Sequence, residues 1–161
     1  MIEPAVSAGR IESDILIAVQ RALAELPPGS AADRLAHYSG RVFDVLRSPD
    51  FTSAYRTFLL GGRGNELASE VLLACHSTTT ALLADGIERG EFAAPSASSA
   101  SAVARLLVSS LFARAHWCAE NPVAGVRGAC SRAVAETLEI IWPALGVTNG
   151  AGRATNTPST S

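Results

Sequence analysis

The sequence contains no lysine. All thirteen positive charges are arginine, set against fifteen Asp and Glu, for a net charge of −2. Without a basic arm or a basic excess there is nothing to neutralise a run of phosphates, so autonomous nucleic-acid binding is disfavoured. Arginine without lysine, in a chain rich in alanine, points to a GC-rich bacterial coding sequence, which is a statement about codons and not about chemistry. Charged residues make up only 17% and aromatics 6%, whereas hydrophobic residues reach 48%. Segments alternating with a period of two are missing as well, and the apolar set is dominated by Ala and Leu, which favour helices. What remains is an all-α domain, and 161 residues suit one domain of ordinary size.

Cysteine is scarce: three residues, an odd number, with no CxxC spacing. That argues against a disulfide framework and leaves buried thiols of a cytosolic protein as the expectation. Long apolar runs are lacking, so no membrane span is expected. The opening MIEPAVSAGRIES has neither the basic start nor the apolar core of a signal peptide. A cytoplasmic location follows. There is no GxSxG phrase, and Gly61-Gly62-Arg63-Gly64 lacks the Lys-Ser/Thr of a phosphate loop and follows no strand. It reads as a joint between helices. No enzymatic activity and no cofactor are implied.

What is present is helical punctuation, and it divides the chain into six segments. The first runs from about Glu12 to Leu26 and stops at Pro27-Pro28-Gly29. Ser30, with Asp33 three residues on, forms a variant capping box and opens the second, which runs to about Arg47. Ser48-Pro49-Asp50 combines a cap, a first-turn proline and an N-terminal acid, and starts a third helix ending near Leu60. A fourth runs from Asn65-Glu66 to Arg89, where Gly90 suits a left-handed terminus. Pro95–Ser101 reads as a linker, a fifth helix extends to about Ala119, and Asn121-Pro122 starts a sixth that reaches Pro143. Residues 1–11 are expected to be a flexible N-terminus, 12–146 the domain, and 147–161, poor in apolar residues, a disordered tail.

The last two helices are apolar on two faces. The fifth carries Val103, Leu107, Leu111 and Ala115 on one and Leu106, Ala113 and Trp117 on the other. The sixth carries Val126, Cys130, Ala133, Thr137 and Ile141 on one, and Val134, Leu138, Trp142 and Leu145 on the other. A helix apolar on two faces is buried on both sides. The second partner is most simply another copy of the chain, giving a four-helix interface. Leu107, Leu111, Trp117, Val134, Leu138 and Ile141 are the expected dimer contacts.

The phrase LLADGIERGEF, followed by SASSASAVARLLVSSLFARAHW and then NPVAGVRGACSRAVAETLEIIWPALG, resembles the C-terminal regulatory domain of TetR-family transcriptional regulators. The resemblance covers about Glu12 to Gly146. It implies a six-helix bundle whose last two helices form the dimer interface, and an effector pocket between the middle helices. The family's helix-turn-helix head has no counterpart in this sequence, so contact with DNA would need a head that is absent from this chain. The resemblance therefore implies a homodimeric sensor of a small, largely apolar molecule. The alternative is a helical interaction protein that forms mixed dimers with a full-length regulator.

In the resembled fold the middle helices line the pocket, and they carry a mixed polar and aromatic set: His37, Tyr38, Tyr55, Phe58, Cys75, His76, Thr79 and Thr80. The spacing of Leu72, Cys75/His76, Thr79 and Leu83 sets a polar patch on an apolar helical face, as a site for a small organic ligand would require. A threonine bonded one turn back and a core cysteine are the plainer reading of the same residues. His116 and Cys118 lie two apart and point to different sides of a helix, so no metal site is expected there. Asp85, Glu88 and Glu91, near a helix end, read as a solvated acidic face.

Overall fold

The capping chemistry written into the sequence sets the helix ends. The computed structural model describes residues 4–61, 66–93, 97–121 and 124–147, with side chains for 14–61, 66–93, 100–121 and 129–147. Among the described residues there are six α-helices and no strand: α1 (Pro4–Ala24), α2 (Ala31–Leu46), α3 (Pro49–Leu59), α4 (Glu66–Glu88), α5 (Ala97–Glu120) and α6 (Ala124–Ile141). A 3-10 turn, Trp142–Leu145, follows α6. At the start of α2 the Asp33 amide donates to Ser30 Oγ at 3.0 Å, and the Ser30 amide donates back to Asp33 Oδ2 at 3.4 Å. Ser48 Oγ accepts from the Phe51 amide at 3.3 Å, with Pro49 in the first turn of α3.

Three boundaries differ from the sequence expectation. α1 begins at Pro4 rather than Glu12. Proline is tolerated in a first turn, and Gly9 is the only glycine or proline between it and Pro27. α5 begins at Ala97, so most of the Ser/Ala stretch is helix and not linker. Asn121, expected to open the sixth helix, instead closes the fifth: its side-chain amide donates to the Trp117 carbonyl at 2.8 Å. The segment 148–161, expected to be disordered, lies outside the described residues, as do residues 1–3 and Gly62–Asn65 of the glycine-rich joint.

The core forms where α2 and α4 meet the inner face of α5. Leu35 and Val42 of α2, Val71 and Leu83 of α4, and Leu107 of α5 are each 2% exposed or less. α4 is the one described helix whose length and composition would suit a bilayer. Here it packs against α1, α2, α3 and α5. The two-faced pattern of α5 resolves cleanly. Leu107, Leu111 and Ala115 are buried, while Leu106 and Trp117 on the other face are 55% and 50% exposed. On α6, Cys130, Ala133, Thr137 and Ile141 turn inward, and Thr137 Oγ1 donates to the Ala133 carbonyl at 2.7 Å. Arg114 ties the pair together, with Nη1 2.8 Å from Glu136 Oε2.

The end of α4 is a joint with a specific chemistry. Gly90 sits at φ 73°, and the amides of Glu91 and Phe92 both donate to the Gly86 carbonyl, at 2.8 and 3.1 Å. The chain thereby turns Phe92 inward to 3% exposure, where its ring lies 6.4 Å from that of Trp142. The Ala93 amide donates to the Leu145 carbonyl at 2.9 Å, fastening the corner to the end of the 3-10 turn that follows α6. The acidic cluster is not simply solvated. Asp85 bridges Arg34 at 2.7 Å and Arg89 at 3.0 Å, and the Glu91 carboxylate accepts from the Ala31 amide at the start of α2.

Candidate functional site

The second half of α2 and the residue that follows it turn Gly40, Phe43, Asp44 and Arg47 toward the junction of α5 and α6. Gly40 carries no side chain, and a Cβ built there would meet nothing within 4 Å. Space is therefore left between the helices. Cys118, Ala119 and Asn121 close it from the end of α5, and Cys130, Ser131 and Val134 from α6, giving a solvent-open cleft of about 640 Å³. That volume lies within the range of small-molecule sites, about 300–1,000 Å³. Phe43, Val134 and Ala119 make the apolar surface. Asp44 and Arg47, 3.2 Å apart and both well exposed, form the charged rim. An exposed pair of this kind is weak and can exchange partners.

One wall of the cleft is covalent. Cys118 and Cys130 form a disulfide with Cα atoms 5.9 Å apart, joining α5 to α6 across 12 residues of sequence. This overturns the expectation of three thiols: only Cys75 is free, and it is buried. The odd count concealed a pair plus one core cysteine, and the pair became possible because α5 and α6 pack against each other. The same bond takes up the Cys118 sulfur that a metal reading beside His116 would have needed. Among the described residues no three His, Cys, Asp or Glu side chains gather as metal ligands.

The eight residues expected to line a pocket fall into separate groups. Tyr38, Cys75 and Thr79 are at most 2% exposed and fill the core between α2 and α4. Burial raises the Tyr38 hydroxyl above its ordinary range and pushes the Cys75 thiol up to about 12. Tyr38 Oη has no hydrogen-bond partner of good geometry. Thr80 Oγ1 donates to the His76 carbonyl one turn back at 2.8 Å. His37 is exposed on α2. Tyr55 and Phe58 belong to an aromatic ladder: Tyr55 stacks between Phe51 and Phe58, each at 5.9 Å, and meets Phe112 and His116 edge-on at 5.5 Å. His76 alone borders an open groove, of about 410 Å³ between α4 and α5, with Leu73, Arg105 and Val108.

The expected dimer contacts also divide. Leu107, Leu111, Leu138 and Ile141, expected as dimer contacts, are at most 4% exposed within the chain's own core. They hold the intrachain side of the two-faced helices. Val134 is half-buried and lines the cleft. Trp117 is exposed. It borders a shallow groove of about 350 Å³ on the outer side of α5 and α6, with Ala113, Arg114, Ala129 and Glu136. Cys118 borders both this groove and the cleft. The cleft residues Phe43, Asp44 and Arg47 carried no signal in the sequence, where they read as ordinary positions of an amphipathic helix.

Fold and site together define an all-α bundle with an open cleft at the junction of three helices. Comparison with protein-family models, with curated proteins and with solved structures finds no match for the chain.

Proposed function

We propose that this chain is a homodimeric ligand-sensing domain, organised like the regulatory domains of TetR-family regulators, that takes a small, largely apolar effector in the α2/α5/α6 cleft. One observation carries the reading: a single helix pair serves two surfaces. α5 and α6 bound the cleft on one side and leave Leu106, Trp117 and Ile140 at least half exposed on the other. Ala113 and Trp117 of α5, and Ala129, Glu136 and Ile140 of α6, recur at helical spacing, so they share the outer face of the antiparallel pair. An apolar face of this kind is covered by a partner, and a second copy supplies four helices in one interface.

The effector works by binding one spacing of α2 against the α5/α6 pair better than another. Because the pair is also the dimer face, that preference passes directly to the partner subunit. Phe43 and Val134 would take the apolar body of the effector, and Asp44, Arg47 and Asn121 its polar end. DNA reading is assigned to none of the six helices.

Titration with an anilinonaphthalene sulfonate dye, an apolar anion, tests the cleft. Saturable binding of about one dye per chain is expected, and its loss in Gly40→Leu, whose Cβ meets nothing within 4 Å and whose side chain would occupy cleft space. Equal dye affinity in Gly40→Leu and the unchanged protein, with equal helical content, would exclude the cleft as the site.

A further inference from the structure

The disulfide is not sealed in the core. Cys130 is 7% exposed, and Cys118 is half-buried and borders the cleft on one side and the outer groove on the other. It is the only covalent cross-link between α5 and α6 among the described residues, apart from the chain itself. The bond is not the only tie between the two helices. Leu107, Leu111 and Ala115 of α5 and Ala133, Leu138 and Ile141 of α6 are buried, and the Arg114–Glu136 ion pair spans the same two helices. A cross-link that is reached from solvent and lies beside other ties between the same helices has the features of a reversible bond.

We propose that Cys118–Cys130 is a thiol–disulfide exchange site, opened by dithiol reductants through attack at Cys118. This inference stands whether or not the cleft takes an effector. The thiolate of the reductant bonds to Cys118 Sγ, the Cys118–Cys130 bond breaks, and Cys130 leaves as a thiolate that takes up a proton. The second thiol of the reductant then attacks its own sulfur in the mixed disulfide, closing a cyclic disulfide and releasing Cys118 as a thiol. The reductant loses two electrons and the protein gains two thiols. Cys118 is the sulfur attacked because it is the more exposed of the two. In a dimer built on the outer face, the reductant reaches it through the cleft. Breaking the bond frees the end of α5 from α6 at the cleft wall, so oxidation state sets how rigidly that wall is held.

The test uses the full chain in native buffer with a maleimide and dithiothreitol. Oxidised protein is expected to take up no label, since Cys75 has 0% exposure. After dithiothreitol two thiols are expected to label, mapped by peptide mass to 118 and 130, with the far-ultraviolet helix signal retained. Labelling that requires denaturant, or loss of the helix signal on reduction, would make the bond a fixed structural staple and overturn the proposal. Oxidised glutathione then tests the direction of attack. Cys118 in Cys130→Ser is expected to form the mixed disulfide about tenfold faster than Cys130 in Cys118→Ser, because access governs the rate. Equal or reversed rates would refute attack at Cys118.

Discussion

Gly86 lies directly under the ring of Phe92: a Cβ at residue 86 would stand 2.3 Å from Phe92 Cδ2 and 2.8 Å from the Ala31 Cβ. This close approach fixes the corner between α4 and α5. In an exposed helix, replacing glycine by alanine gains up to about 1 kcal/mol. Here the clash reverses the sign. Gly86→Ala is expected to lower stability by about 1–3 kcal/mol, read from the denaturant midpoint. Adding Phe92→Leu, which shortens the clashing ring, should recover part of the loss.

Gly40 is the opposite case. It sits in the middle of α2 with open space where a Cβ would go, and its φ is in the ordinary helical range. Gly40→Ala is expected to raise stability by about 0.5–1 kcal/mol through helix propensity and a less flexible unfolded chain. Thermal unfolding of the two proteins side by side reads the difference, and a decrease would mean that the cleft wall tolerates no added carbon.

Burial of Cys75 gives the protein an alkaline limit. Its thiol pKa is pushed from 9.0 to about 12 in the folded chain, so between those values the folded state keeps a proton that the unfolded state has lost. The stabilisation is full below 9 and declines as pH rises toward 12. Tyr38, whose ordinary value is 10.0, is raised by the same burial and steepens the decline above that point. Urea midpoints measured from about pH 8 to 10 should fall in the unchanged protein and fall less steeply in Cys75→Ala, although that variant starts from a lower stability.

The helices were legible in the sequence because their ends are local chemistry. Ser30 with Asp33, Ser48 with Pro49, and Gly90 act within four residues of themselves. The cleft was not legible because it depends on how α2 lies against α5 and α6, which no local signal records. Cys75 and Thr79 share a face of α4 in the sequence as a binding patch would, but a polar group on an apolar stripe looks the same whether it meets a ligand or a neighbouring helix. The two faces of α5 were visible as two stripes. Which of them faced inward was decided by packing, and it was the stripe of Leu107 and Leu111. The disulfide required two cysteines 12 residues apart to meet across a helical hairpin, whereas counting cysteines could only note that three is odd.

The Trp117 face is expected to hold the dimer. Trp117→Glu places a charge at the centre of an apolar contact, and a buried aromatic anchor contributes about 2 kcal/mol or more, so the dimer should weaken roughly thirtyfold or more. Leu106→Glu on the same helix should act in the same direction, whereas Leu73→Glu, on the equally exposed surface of α4, should leave the assembly unchanged.

The measurement that bears most directly on the account is the mass of the full chain by light scattering at micromolar concentration, beside that of Trp117→Glu. Twice the 16.7 kDa chain mass is expected for the unchanged protein and a single chain mass for the variant, with equal helical content. A monomer in both cases, or a dimer that survives the substitution intact, would contradict a shared sensing and dimerising helix pair.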